Sequence, residues 1–329
     1  MPVLPLLGIA IAVSLLTSKL VGADVVTVPP VADTSLFEFH PDDNFGRQRD
    51  LPAGALGIMG DTSRARVLYR YDLAAALPAG ATIEAARMTL TVGTQIPESG
   101  RRISDFALSR VLVPWGEGDG FGERPGGRPA EPGEATWNHR FLPGEGVPGE
   151  AWAIPGGEFG VDYAPDQSAL AVNVDGSEFN PTSYFFNFNS TGLGDIQATV
   201  DGTAPNHGWV LYSLSESSRK TARRWTSRET INEGPAPKLE ITFSPPIPVV
   251  PPKLTSLEID EVTQELLVRV EGARGFRYEL QCGIDLTAWT VEAAQVPADN
   301  GALVFRLPLV GGARFVRIVK NVFPEGEDP

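Results

Sequence analysis

The chain is poor in exactly those side chains on which much enzyme chemistry rests. It has one cysteine, three histidines and three methionines in 329 residues. A lone Cys282 cannot close an intramolecular disulfide, so a core or a bound metal must hold the fold together. His40, His139 and His207 are the whole supply of imidazole, no two stand at metal-ligand spacing, and neither HExxH nor GxSxG occurs. That leaves no footing for a zinc hydrolase or a histidine-assisted nucleophile. A phosphate-cradling GxGxxG that opens a helix is also missing, because the glycines of GEGDGFGERPGG sit among chain breakers. Positive charge is scarce: 27 Lys and Arg face 41 Asp and Glu, a net charge of −14. Such a balance repels a nucleic-acid backbone, so no nucleic-acid partner is expected. The densest basic run, Arg219 to Arg228, reads as an exposed strand-and-loop surface.

What the chain has is glycine and proline, 35 and 29 residues, with an apolar share of 42%. Breakers at that density belong to turns between many short strands, which disfavours a helical bundle or a doubly wound fold. The only long apolar run is Val3 to Leu16, followed by Val21-Gly22-Ala23. This predicts a signal peptide over 1–23 and a secreted or extracellular-surface protein.

From Asp24 to Ser244 the strand pattern recurs. In ARVLYRYDL, Val67, Tyr69 and Tyr71 share one face and Arg66, Leu68, Arg70 and Asp72 the other. The same alternation marks Thr82 to Val92, Phe106 to Val113, Gly208 to Leu214 and Leu239 to Phe243. Asp72 to Leu77 is the one place where a helical turn is expected. Two stretches break the pattern: Pro114 to Gly157, with Trp115, Trp137 and Trp152, and the polar Asp175 to Thr203, which holds a short strand TSYFFNFNS and an Asn189-Ser190-Thr191 glycosylation triplet. A proline-rich linker, 245–252, leads to six short strands over 253–320 and an acidic tail, 321–329. The expected fold is all-β: a large, jelly-roll-like β-sandwich followed by a small one.

Three functions compete on the residues. Sugar rings stack on Trp and their hydroxyls seek Arg and Asp, so noncatalytic polysaccharide binding points to Trp115, Trp137 and Trp152 as rings and to Arg140, Arg224 and Arg228 as grips for an acidic sugar. A structural or adhesive surface protein with a protein partner would bury the same tryptophans. Polysaccharide cleavage would need a carboxylate pair, for which Glu117, Asp119, Glu123 and Glu134 lie near tryptophans. The turn Pro41-Asp42-Asp43-Asn44-Phe45-Gly46 concentrates oxygen ligands, with Asp33 nearby, so Asp33, Asp42, Asp43 and Asn44 are candidate ligands of a structural calcium; an Asx turn is the alternative.

Several motifs, in order, resemble one family. They are Ala32-Asp33-Thr34 before Pro41-Asp42-Asp43-Asn44-Phe45-Gly46; Arg66-Val67-Leu68-Tyr69-Arg70-Tyr71-Asp72-Leu73 before Pro78-Ala79-Gly80-Ala81-Thr82-Ile83; and Ala85, Arg87 and Leu90. Trp115-Gly116-Glu117, Thr136-Trp137-Asn138, Asn206-His207-Gly208-Trp209, Trp225-Thr226-Ser227-Arg228-Glu229 and Pro237-Lys238-Leu239-Glu240-Ile241 follow. Together they resemble the DNRLRE, or disaggregatase-related, domain, which overlaps a carbohydrate-binding module family associated with alginate and related polysaccharides. The resemblance implies a β-sandwich and a polysaccharide ligand. The chain departs from it in the GEGDGFGERPGGRPAEPGE insertion and in Trp225, which stands where Phe or Tyr is usual. Tyr278-Glu279-Leu280-Gln281-Cys282, Asp285 to Trp289 and Gly312 to Arg317 resemble the fibronectin-like C-terminal modules of exported planctomycete and verrucomicrobial proteins.

Overall fold

The computed structural model of the chain describes residues 23–57, 63–95, 101–122, 126–231, 234–246, 252–273, 276–283, 288–297, 301–308 and 315–322. The expected signal peptide up to residue 22, the middle of the proline-rich linker, Glu123 and the tail from residue 323 lie outside them. The chain divides into two compact units, one ending at Pro246 and one following it.

The first unit is built of strands β1 (Asp24–Val28), β2 (Pro30–Phe37), β3 (Asp43–Asn44), β4 (Asp50–Ala55), β5 (Arg64–Tyr71), β6 (Thr82–Val92), β7 (Ser104–Arg110) and β8 (Arg128–Pro129), with a single helical turn α1 (Leu73–Ala76) between β5 and β6. Then come β9 (His139–Phe141), β10 (Glu150–Ala151), β11 (Ala169–Val174), β12 (Thr182–Phe188), helix α2 (Ser190–Val200), β13 (Trp209–Ser213), β14 (Arg223–Thr226) and β15 (Lys238–Ser244). The fold is all-β, and the main sheet runs β1-β15-β6-β12-β11-β7-β13-β5-β4-β14, with β2 on β5. Because Trp225 of β14 also pairs with Val92 of β6, the path returns on itself as a barrel-like circuit of eight strands.

Alternation explains the interior. Val67, Tyr69 and Tyr71 of β5 face a core with Met88, Leu90, Phe106, Leu108, Phe186, Trp209, Leu211 and Trp225. The opposite face of β5 is not solvated. Leu68, with Ala107 of β7 and Val210 of β13, packs under Trp115, Trp137, Trp152 and Tyr163 as a second core. The Gly- and Pro-rich segment after Pro114 is thus a cover folded onto the outside of the sheet. Arg66 ties it down: Nη1 donates to the carbonyls of Gly156 and Gly157 at 2.9 Å each, while Nε and Nη2 hold Glu216 at 2.9 and 2.7 Å.

The turn expected at Asp72 to Leu77 is α1, capped by the Asp72 carboxylate, which accepts from Ala75 N–H at 3.1 Å. Within 175–203, the expected strand is β12, and an unexpected helix, α2, follows it. Asn189 of the glycosylation triplet is the helix cap. Its Oδ1 accepts from Gly192 N–H at 3.0 Å and its Nδ2 donates to the Gln167 carbonyl at 2.7 Å.

The second unit contains β16 (Leu254–Asp260), β17 (Glu265–Gly272), β18 (Phe276–Gly283), β19 (Thr290–Gln295), β20 (Gly301–Pro308) and β21 (Phe315–Val322). They form two antiparallel three-stranded sheets, β16-β17-β20 and β19-β18-β21. Leu266, Val268, Val270, Tyr278, Leu280, Phe305 and Leu307 make its core, and Cys282 is buried among them.

Candidate functional site

A cleft of about 350 Å³ opens against β4 and β14. Phe37, at the end of β2, and Phe45, after β3, meet edge to face at 5.8 Å and form an apolar floor with Pro52 and Leu56. Gln48, Asp50, Gln95 and Arg224 supply polar groups around it. The alternation of β14 sends Trp225 inward and Arg224 outward, beside Pro52, its partner on β4. Arg224 lies 3.7 Å from the buried Asp50 carboxylate and donates to the Thr94 carbonyl. Gln48 reaches across to the covering segment, with Nε2 donating to Gly122 and Gly126 carbonyls at 2.9 and 2.7 Å. Phe39 stands 6.1 Å from Phe37 and is 45% exposed, so its ring is open to solvent next to the cleft. This volume falls in the range of small-ligand sites, and an apolar floor with a few polar groups is their usual composition.

Of the expected ligand-binding residues, Arg224 lines this cleft; the others lie elsewhere. Trp115, Trp137 and Trp152, the rings expected to stack on sugar, are buried at 2%, 3% and 4% exposure. The physical reason is the apolar outer face of β5, β7 and β13, which the covering segment must bury. Trp115 Nε1 donates to the His207 carbonyl and Trp152 Nε1 to the Thr136 carbonyl, both at 2.9 Å. Arg64 and Arg70 lie over the rings of Trp137 and Trp115 at 5.3 and 5.1 Å. Arg140 is close by, with Nη1 donating to the Pro114 carbonyl at 3.3 Å and Nη2 paired with Glu150.

Arg228, itself exposed, pairs with a partly buried acidic cluster. Its Nε and Nη2 hold both oxygens of Glu117 at 2.9 and 3.1 Å, Nε also meets Glu229 at 2.9 Å, and its backbone N–H donates to Asp33 at 2.8 Å. The Asp33 N–H donates in turn to Glu117 at 2.8 Å. Asp33 is 0% exposed; burial first, then the charge of Glu229, pushes its carboxyl well above the usual carboxylate range. Burial also raises Glu117 and Glu229. Glu134 accepts from Arg128 at 2.7 and 3.1 Å, and Asp119 pairs with the same guanidinium.

Each of the four expected calcium ligands has a protein partner. Asn44 Oδ1 already accepts from Gly46 and Gly120 N–H at 3.0 and 2.8 Å, while Nδ2 donates to the Glu117 and Ala135 carbonyls at 2.7 and 2.9 Å. All four hydrogen-bonding positions of that amide are filled. Asp42 accepts from Asn138 at 3.2 Å, Asp43 faces His40 at 3.4 Å, and Asp33 is beside the Arg228 cation. Among the described residues no group of three or more His, Cys, Asp or Glu is arranged to hold a metal.

The cleft residues Phe37, Phe45, Gln48 and Asp50, and Phe39 beside them, escape a reading that searches for tryptophan. The available signal is the aromatic density of Phe37-Glu38-Phe39-His40 and Phe45, packed around the acidic turn. No protein-family model matches the chain, and no curated protein matches it.

Proposed function

We propose that the first unit binds polysaccharide without cleaving it, on a secreted or cell-surface protein, through the cleft between Phe37, Phe45 and Arg224. The open ring of Phe39 beside the cleft carries this reading: it is free to meet the C–H face of a sugar ring, and Gln48, Asp50, Gln95 and Arg224 at the cleft are suited to hydroxyls or to the carboxylate of an acidic sugar. The DNRLRE resemblance points the same way, with the barrel-like circuit read as a flattened, jelly-roll-like sandwich and the second unit as a fibronectin-like spacer. Affinity electrophoresis of the full chain through gels containing acidic polysaccharides tests it. Retardation is expected, and Phe39→Ala and Arg224→Ala should reduce it; free migration across a broad panel, with calcium present, refutes the proposal.

The burial of the tryptophans favours a second reading, an adhesive surface protein with a protein partner. Leu170 and Val172 of β11 and Phe185 of β12 are exposed at 40%, 56% and 54%, giving the outside of the sheet apolar character. On this reading Leu170→Lys abolishes partner capture, whereas on the first reading the same change leaves polysaccharide retardation intact.

A further inference from the structure

The main sheet begins on a strand that has a neighbour on one side only. β1 pairs with β15 through all of its residues, from Asp24 opposite Phe243 to Val28 opposite Leu239, in unbroken register. It stands at the end of the strand order, and among the described residues no hydrogen bond from any other element reaches its backbone. An antiparallel strand sends about half of its N–H and C=O groups to each side, so one row of them is left to water. The usual guards of such an edge are missing. Asp24–Val28 contains no lysine, no proline and no bulge, and Pro29 and Pro30 stand just beyond it. Three valines and a threonine hold the strand extended. Val25 and Thr27 point away from the core, and Val25 is 67% exposed. β2 shows the contrast. It too has a single ladder partner, β5, but its other side is filled, as the Asp33 N–H donates to Glu117 of the covering segment at 2.8 Å.

We propose that the open edge of β1 takes the β1 of a second copy of this chain, the two strands pairing antiparallel about a two-fold axis through Val26. The strand is its own complement. Residues directly opposite in an antiparallel pair point to the same face, so only registers that set the inward positions Asp24, Val26 and Val28 against one another keep both cores on their own side of the sheet. Of these registers, the one with Val26 opposite its own copy pairs the whole strand, with Val25 opposite Thr27 and Asp24 opposite Val28. A slip by one pleat shortens the ladder. The same register keeps the two Asp24 carboxylates at opposite ends of the joined strands, about 14 Å apart along them. Since one patch serves both copies, the assembly closes at two. So short a ladder makes a small contact, of the weak and reversible class below ~1,200 Å², and the net charge of −14 on each copy opposes approach until salt screens it. The edge uses none of the residues of the proposed cleft and stands without it.

Cysteine pairing in the full chain reads the register. Val25→Cys and Thr27→Cys, mixed and oxidised, should give a cross-linked dimer, because their β-carbons come to ~5 Å across the joined strands. Either variant alone should give little, since two copies of one position lie diagonally at ~7–8 Å. The native Cys282 is buried and takes no part. Sedimentation in about 0.15 M salt follows the reversible dimer. Val25→Glu with Thr27→Glu sets like charges opposite each other, and Val25→Glu with Thr27→Lys sets opposite charges there; the second should associate about tenfold more tightly than the first. Both positions are exposed, so the variants fold, and the cross-link gives an independent reading. A monomer at every concentration up to about 1 mM overturns the proposal. So does cross-linking by one cysteine variant alone as readily as by the mixture, or equal association of the two charge variants. A monomeric chain that captures an unrelated extended peptide through this edge assigns it to a foreign strand and overturns the proposal as well. Loss of retardation through the cleft variants leaves these results untouched.

Discussion

Arg228 and Asp33, 195 positions apart, are joined by a 2.8 Å hydrogen bond from the Arg228 backbone N–H to the Asp33 carboxylate. The bond docks the chain after β14 onto β2, inside the first unit, where water does not reach Asp33. A carboxyl so placed holds its proton more tightly in the folded than in the unfolded chain. Its proton-linked contribution to stability is therefore complete below the ordinary carboxylate range near pH ~4 and is lost as the pH rises through the raised folded value. Asp33→Asn keeps an acceptor for Arg228 and removes the titration. Thermal melts from pH 4 to 9 should show a flatter pH dependence for this variant and a higher relative stability at the alkaline end. An unchanged slope would contradict the assignment of the raised pKa to Asp33. Asp33→Ala, which leaves a buried N–H without its partner, should cost about 1–3 kcal/mol.

Asn44 supports a different prediction. Its amide anchors the covering segment at Glu117, Gly120 and Ala135. Replacing it with Ala should destabilise the protein by about 3 kcal/mol, as several buried polar groups lose partners, and should expose 114–157 to limited proteolysis. Asn44→Asp is the sharper experiment. An aspartate would be tolerated or favoured at a calcium site, whereas here it sets oxygens against the Glu117 and Ala135 carbonyls. Destabilisation at least as large as that of Asn44→Ala is expected, with a melting temperature indifferent to chelator. A stable Asp variant that loses stability in chelator would restore the calcium reading.

The tryptophans lead to a spectroscopic prediction. Acrylamide should quench Trp115, Trp137 and Trp152 poorly, because each is nearly inaccessible. Trp152→Ala should cost about 3–5 kcal/mol, the range for truncating a large core ring. Trp152→Phe keeps most of the packing and loses the bond to the Thr136 carbonyl; it should melt lower yet leave polysaccharide retardation as it was. Strong quenching of these rings, reversed by added glycan, would return them to the binding surface.

Strand alternation made most of the fold legible, because a two-residue period separates buried from solvated side chains wherever one face of a sheet is open. It worked for β12, where Phe186 and Phe188 turn inward and Phe185 and Asn187 outward. It was silent on the tryptophans. Their burial depends on Leu68, Ala107 and Val210, which make the outer face of the sheet apolar, and on a distant segment folding back over them. Helix α2 was hidden by Gly192, Gly194 and the β-branched Thr191, Thr199 and Val200, which read as loop. Tertiary structure overrides that propensity. Ile196 is buried in the core, Asn189 caps the first turn, and Gly192 lies where a Cβ would meet the Ser168 carbonyl oxygen at 2.5 Å. The cleft was illegible for a similar reason, since it draws Phe37, Phe45, Gln95 and Arg224 from four separated stretches.

Arg66 offers a test of how the cover is fastened to the sheet. Its guanidinium spans the Gly156 and Gly157 carbonyls and both oxygens of Glu216, and lies over the rings of Phe159 and Tyr163 at 5.1 and 5.8 Å. Lysine keeps the charge but cannot reproduce the fork or the stacking. Arg66→Lys should therefore behave much like Arg66→Met, each leaving the partly buried Glu216 with an incomplete partner at a cost of about 1–3 kcal/mol. Glu216→Gln combined with Arg66→Met should recover part of that loss, because the stranded charge is gone. Chemical denaturation of the single and double variants measures the coupling. If Arg66→Lys retains full stability, charge alone holds the segment, and the paired carbonyl contacts contribute little.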